Sequence, residues 1–225
     1  MIFLYEGEGN TQPVRRNHKI RPTSNHHFFN ELAKRILQTA TRTRPHGRLF
    51  DMDSKLRATH QYAPLAISLD DYETYMNKGQ IPLWQHMGLC KARVLFGTDT
   101  AKSRIQALIV KTIAAGNQNP QLKAEIYQAR LESEEGATDR NLKRFQGGTM
   151  DIEYIVQMLQ LLNGDVEDIQ QPGTLMALQK MQEHGLLNQD DTAALSKSYL
   201  FLRRVESGLR LMDTTHRHDL PAQSL

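Results

Sequence analysis

A single cysteine among 225 residues sets the first limits. Cys90 has no internal disulfide partner, and no second thiol makes a zinc or redox pair of the C-x-x-C kind. A packed free thiol is the expected state. Long apolar runs are missing too. None approaches the roughly 18 to 20 residues that a bilayer span needs, and the start has neither the basic leader nor the small-residue cleavage site of a signal peptide. No membrane partner is expected, and cytoplasm is the expected compartment. Charge of one sign is not in excess: 28 basic and 25 acidic residues leave +3, too little to argue for nucleic acid. The densest basic stretch, RRNHKIR from Arg15 to Arg21, has no interleaved aromatic residue on which a base could stack, so a solvated loop is expected there. The chain has no P-loop, no dinucleotide-binding G-x-G-x-x-G and no nucleophile elbow. His26 with His27, and His216 with His218, lack partners at metal-ligand spacing and read as surface histidines.

What is present suffices for a core, with 39% hydrophobic residues. The opening MIFLY reads as a buried strand ended by the glycines of EGEGN. After Ser24 and Asn25, both good caps, Phe29, Leu32, Ala33, Ile36, Leu37 and Ala40 recur at helical spacing. RLFDMD alternates as a strand, PLAIS is a further short strand, Asp70 or Asp71 caps a helix running through Met76, and ARVLF is a last strand candidate. Beyond Gly97 helical periods take over, at 99–115, 120–134, 151–163, 173–185 and 190–212, separated by breaks such as GNQNP and EEGATD. The fold class expected is α+β: a sheet-containing domain over residues 1–97, then an all-helical bundle over 98–225.

Three stretches have the residue types of a working site. In GRLFDMDSKLR, residues two apart share a strand face, so Asp51 and Asp53 present neighbouring carboxylates with Lys55 and Arg57 just beyond. Carboxylates beside cations suit magnesium and phosphates. Ordinary charge alternation on an exposed strand gives the same pattern. In KRFQGGTMDIEYIVQ, two glycines lead into a helix whose buried stripe is Ile152, Ile155, Val156, Leu159 and Leu162. Asp151 and Glu153 offset the dipole at its start. Two positions apart, they differ by about 200° in direction and cannot both face one site. In YLFLRRVES, Tyr199, Leu202, Val205 and Leu209 have core spacing, while Arg203, Arg204 and Glu206 lie off that stripe, as on a solvated basic face.

Taken in order, MIFLYE, GRLFDMDSKLR, APLAIS, LWQHMGLCKAR, KRFQGGTMDIEYIVQ and LFLRRVE resemble the motif series of the glutamine synthetase adenylyltransferases over nearly the whole chain. The resemblance implies a nucleotidyltransferase domain of the polymerase-beta type followed by a helical bundle. It also implies reversible transfer of AMP from ATP to a tyrosine of glutamine synthetase, with nitrogen-signalling regulatory proteins as further partners. Three carboxylates would hold two Mg2+ ions that neutralise charge on the entering and leaving oxygens. By motif position Asp53 would be the third carboxylate, catalytic and metal-binding, whereas Asp51 falls where the family varies and is not a ligand. Lys55 and Arg57 would lie near the nucleotide. Lys143, Gly147, Gly148, Asp151, Glu153, Arg203 and Arg204 would support the contact between bundle and catalytic domain.

The departures from that pattern are specific. Lys55 stands for an arginine and loses bidentate geometry, Gln85 for a glutamate, and Phe145 for a glycine. The G-S-D-x-D turn, which in the family precedes the strand matching MIFLYE, is not among these residues. One carboxylate makes a poor magnesium cage. The expectation is an incomplete copy of one catalytic half, with impaired transfer and with Met1–Tyr5 as the least covered apolar segment, a sheet element lacking a neighbour. The alternative is a non-catalytic interaction module that binds glutamine synthetase or a separately encoded partner half.

Overall fold

The computed structural model describes residues 1–12, 21–43, 52, 63–78, 81–212 and 218–221. Its contacts divide the chain into two units, Met1–Gln80 and Ile81–Leu225.

In the first unit the apolar start forms β1 (Phe3–Tyr5), followed by α1 (Asn25–Thr41), β2 (Ala66–Ser68) and α2 (Leu69–Asn77). β1 and β2 pair in parallel, with Phe3 opposite Ala66 and Tyr5 opposite Ser68. Two strands make a marginal sheet, so side chains complete it. Asn30 of α1 donates to the carbonyl of Ala66 at 3.0 Å and accepts from its N–H at 3.1 Å, as a neighbouring strand would. Tyr5 stacks on Phe29 with ring centroids 4.8 Å apart.

These contacts correct the expectation for Met1–Tyr5. β1 is half-buried and Met1 is 41% exposed, whereas Phe96 is 94% and Leu211 90% exposed, so this is not the least covered apolar segment, although β1 pairs on one side only among the described residues. The α1 stripe is covered unevenly: Ala33 is buried, but Leu32 and Ile36 are exposed. Ser24 caps α1, its side chain accepting from the His27 N–H. The cap of α2 also differs from expectation. Ser68, not Asp70 or Asp71, holds the extended conformation that a cap needs; it accepts from the Asp71 N–H at 3.1 Å and donates its hydroxyl to the Asp71 carboxylate at 2.6 Å. Both aspartates already lie inside the helix. The strand expected around Asp51 and Asp53 lies outside the described residues, as do Asp53, Lys55 and Arg57 themselves.

The regular elements of the second unit among the described residues are helices: α3 (Leu83–Leu89), α4 (Asp99–Ala114) running into a 3-10 turn at Ala115–Gln118, α5 (Leu122–Glu134), α6 (Thr149–Leu162), α7 (Thr174–Glu183) and α8 (Gln189–Met212), with one isolated antiparallel bridge between Asn141 and Asp219. ARVLF forms no strand; residues 92–96 are irregular, because a strand needs a paired neighbour and no described backbone supplies one. Helix α6 is central and packs against α3, α4, α5, α7 and α8. Its Ile152 and Val156 meet Ile169, Ala177, Leu178 and Met181 in one core, flanked by Leu195, Tyr199 and Leu202. Full burial of each large aliphatic side chain contributes about 1.5–3 kcal/mol.

One polar side chain in this core is held by the loop that follows α6. Gln160, 1% exposed, donates to the carbonyls of Ile169 and Gln171, and its own carbonyl accepts from the Gln170 side chain. This pins the loop leaving α6. Gly164 in that loop lies so close to Ala114 at the end of α4 that a Cβ would stand 2.5 Å from the Ala114 Cα.

Cys90 is buried, and desolvation pushes its thiol up to about 12. Only the thiolate alkylates readily. Native protein at neutral pH is therefore expected to resist iodoacetamide, with Cys90 labelled only on unfolding. Rapid stoichiometric labelling of folded chain, read by intact-mass spectrometry, would contradict the packing.

Candidate functional site

The glycine turn before α6 is built by α5. In LKAEIYQARLESE, Leu122 and Ile126 are buried, and Arg130 falls at the next turn of the same stripe. A guanidinium in a core position needs partners. Arg130, 7% exposed, donates Nε to Asp151 Oδ1, Nη1 to Glu134 at 3.2 Å and Nη2 to the Phe145 carbonyl at 3.3 Å. The second Asp151 oxygen accepts from the Gly147 N–H at 2.6 Å. Arg144 fastens the same turn to the end of α5, donating to the carbonyls of Ser133 and Glu135 at 2.6 and 2.7 Å.

Both glycines are required by geometry. Gly147 has φ +78°, which L side chains rarely adopt. At Gly148 a Cβ would lie 2.7–2.8 Å from the carbonyl oxygens of Lys143, Leu142 and Phe145. The Lys143 carbonyl accepts from the Met150 N–H at 3.0 Å, which ties the turn to the start of α6.

Asp151 and Glu153 diverge, as their spacing predicts. Glu153 accepts from Lys91 Nζ at 2.7 Å and from the Tyr199 hydroxyl at 3.1 Å, joining the segment after α3 to α6 and α8. The Tyr199 phenol is raised above its ordinary range, chiefly by burial.

Glu206 corrects the sequence reading. It is 1% exposed, not on a solvated face. Thr149 Oγ1 stands 3.3 Å from Oε1, Arg203 Nη1 donates to Oε2 at 2.8 Å, and His218 Nδ1 lies 3.4 Å from Oε1. The inward line of α8 runs Tyr199, Leu202, Glu206, Leu209, with a carboxylate taking a core position because these partners surround it. His218 is correspondingly not a free surface histidine. Its pKa lies below the ordinary value, desolvation outweighing the attraction of Glu206. The segment around it lies along the chain before the glycine turn: Leu142 N–H donates to the His218 carbonyl, Leu220 N–H to the Arg140 carbonyl, and Asn141 Nδ2 to Asp219.

The structure thus brings Lys143, Gly147, Gly148 and Asp151 together at one turn, sets Glu153 in a separate cluster, and gives Arg203 to Glu206. Arg204 is exposed and forms no ion pair among the described residues. Arg130, Arg144 and Lys91 escaped sequence reasoning. Only Arg130 left a signal, a charged residue in step with an apolar stripe. Asp151 has both oxygens engaged, and no group of three or more His, Cys, Asp or Glu among the described residues could hold a metal ion. The described residues therefore do not fit a magnesium site, and Asp53 lies outside them.

Two family models match the chain. One, described as glutamate-ammonia ligase adenylyltransferase, covers residues 1–108, and one described as GlnD PII-uridylyltransferase covers residues 121–225. Both descriptions are of nucleotidyl-transferring proteins, which sets the class. Curated relatives are more specific. The bifunctional glutamine synthetase adenylyltransferase/adenylyl-removing enzyme of Aromatoleum aromaticum is 31% identical over 98% of this chain and 23% of its own length. The enzymes of the same description from Ralstonia nicotianae and Bordetella pertussis are 29% and 30% identical over 98% and 99% of the chain, each across 25% of its length. The chain belongs to the glutamine synthetase adenylyltransferase family. It spans about a quarter of the length of the curated relatives it matches.

Proposed function

We propose that this chain serves reversible AMP transfer to a tyrosine of glutamine synthetase in the control of nitrogen assimilation; its relatives' names describe adenylyl transfer to glutamine synthetase and adenylyl removal. ATP is the nucleotide and Mg2+ the metal. Residues 1–97 supply the nucleotide-handling part, with Asp53 as the carboxylate that would hold the metal and Lys55 and Arg57 beside the phosphates. Residues 98–225 form the bundle, with its Lys143–Gly148 turn held by Arg130 and Asp151. Nitrogen-signalling proteins are further partners, and the cytoplasm is the compartment. The observation that supports this reading is a match running through 98% of the chain in one order.

These 225 residues have a single carboxylate at a metal position of the family pattern and no G-S-D-x-D turn, so transfer by them alone is negligible. With glutamine synthetase, radiolabelled ATP and Mg2+, labelling at background is expected, the same for the native chain and Asp53→Ala. Labelling lost on Asp53→Ala would overturn the impairment. In a light-scattering titration the chain is expected to associate with glutamine synthetase, and no association would overturn glutamine synthetase as its partner.

A further inference from the structure

Helices α5 and α8 both pack on α6, and each keeps one face outside the core. On α8 the inward line takes Tyr199, Leu202 and Glu206, which leaves Lys197, Leu200, Phe201 and Arg204 exposed together. Phe201 is 64% exposed. Lys197 and Arg204 form no ion pair among the described residues, and Glu206, the next carboxylate on the helix, is buried and taken by Arg203. On α5, Leu122, Ile126 and Arg130 turn inward, which leaves Glu125, Tyr127, Leu131 and Glu132 exposed. Tyr127 is 66% exposed. Glu125 and Glu132 accept from neutral amides, of Asn119 at 3.0 Å and Gln128 at 3.3 Å, so no cation offsets their charge among the described residues.

We propose that α5 of one copy of this chain docks on α8 of a second copy. The two faces match in charge and in spacing. Glu125 and Glu132 are seven residues apart, as are Lys197 and Arg204, and seven residues advance a helix by about 10.5 Å. Both ion pairs therefore form at once. With the helices parallel, Glu125 meets Lys197, Glu132 meets Arg204, and Lys123 comes towards Asp190 at the start of α8; the reverse direction would bring Lys123 towards Arg210. Tyr127 and Leu131 meet Leu200 and Phe201 as the apolar centre of the contact. Two copies of α8 would set Lys197 and Arg204 against their own kind, and two copies of α5 would do the same with glutamates, so unlike faces pair. Each pair leaves one α5 and one α8 uncovered, and copies add head to tail. The glycine turn, Asp53, Lys55 and Arg57 take no part, so the inference does not rest on the AMP-transfer reading.

The test is sedimentation equilibrium on the full chain with no other protein present. Two helix faces bury a small area, so a Kd on the order of 100 µM is expected, seen as a mass that rises with concentration and falls back in about 1 M salt. Phe201→Asp on α8 and Tyr127→Lys on α5 should each weaken association about tenfold or more. Mixed in equal amounts, these two variants should associate again, because the intact α5 of the first meets the intact α8 of the second. That result also shows that both fold. Lys197→Glu and Glu132→Lys are a second pair with the same expectation. Four results would overturn the proposal: the mass of one chain at every concentration, a loss confined to one variant of a pair, a mixture no heavier than its components, or indifference to salt. Binding to glutamine synthetase that Phe201→Asp abolishes, by a chain that stays at a single mass, would give the α8 face to that protein and overturn the proposal as well.

Discussion

Arg130→Met is expected to lower the stability of the helical unit by about 3 kcal/mol in urea denaturation, the value for removing one partner of a buried ion pair. Methionine fills the volume of the arginine stem, so the loss is that of the guanidinium. Without it Asp151 Oδ1 and the Phe145 carbonyl lose their donor, and Glu134 loses its partner. Asp151 is about a third exposed, which keeps the effect at the lower end of the range. Arg130→Lys restores the charge but not the fork that reaches three acceptors, and less than half of the loss should return. The double variant Arg130→Met, Asp151→Asn should be more stable than Arg130→Met alone, since it removes the uncompensated carboxylate. A loss under about 1 kcal/mol in the single variant would mean that Arg130 does not hold the turn.

Gly164→Ala should cost at least as much, about 3 kcal/mol, or prevent folding of the unit. The added Cβ would stand 2.5 Å from the Ala114 Cα, 2.7 Å from the Ile113 carbonyl oxygen and 2.9 Å from the Ala114 nitrogen. All three atoms are backbone, so no side-chain rotation relieves the contact. Gly208→Ala in α8 is the control: nothing lies within 4 Å of its Cβ position. Alanine there should stabilise the chain by about 0.5–1 kcal/mol through helix propensity. If both substitutions shift the urea midpoint alike, the loop after α6 does not pack on α4 as described.

Much of this molecule is legible before folding. The helical periods beyond Gly97 appear as α4 to α8 within a few residues of their expected ends, because periodicity and Gly or Pro breaks are local properties of the chain. Ser24 is read for the same reason, and of the expected α6 stripe Ile152 and Val156 are buried, whereas Ile155, Leu159 and Leu162 are half-buried and Gln160 and Leu161, outside that stripe, lie deepest. Local reading failed where a neighbour had to be known. ARVLF has strand composition but no described strand to pair with. Ser68 caps α2 because β2 delivers it in an extended conformation, while Asp70 and Asp71, equally good cap residues by type, fall two and three residues later, inside the first turn.

The motif residues divide along the same line. Asp53, Lys55 and Arg57 stand out in sequence by type and spacing, although they lie outside the described residues. Asp151 also stands out, but its use differs from what its type suggests: the carboxylate is consumed in holding Gly147 and Arg130 and is not offered to a ligand. Arg130, which the turn depends on, belongs to no recognised motif.

By itself the sequence determined the family, through short motifs in a fixed order, and the places of the helices, through periods of a few residues. Only the tertiary structure decided which polar groups are buried and with whom they pair. Arg130 meets Asp151 across 21 residues, Thr149 meets Glu206 across 57, and Asn141 meets Asp219 across 78. A buried charge is stable only where such partners converge. Separations of that size leave no trace in local spacing.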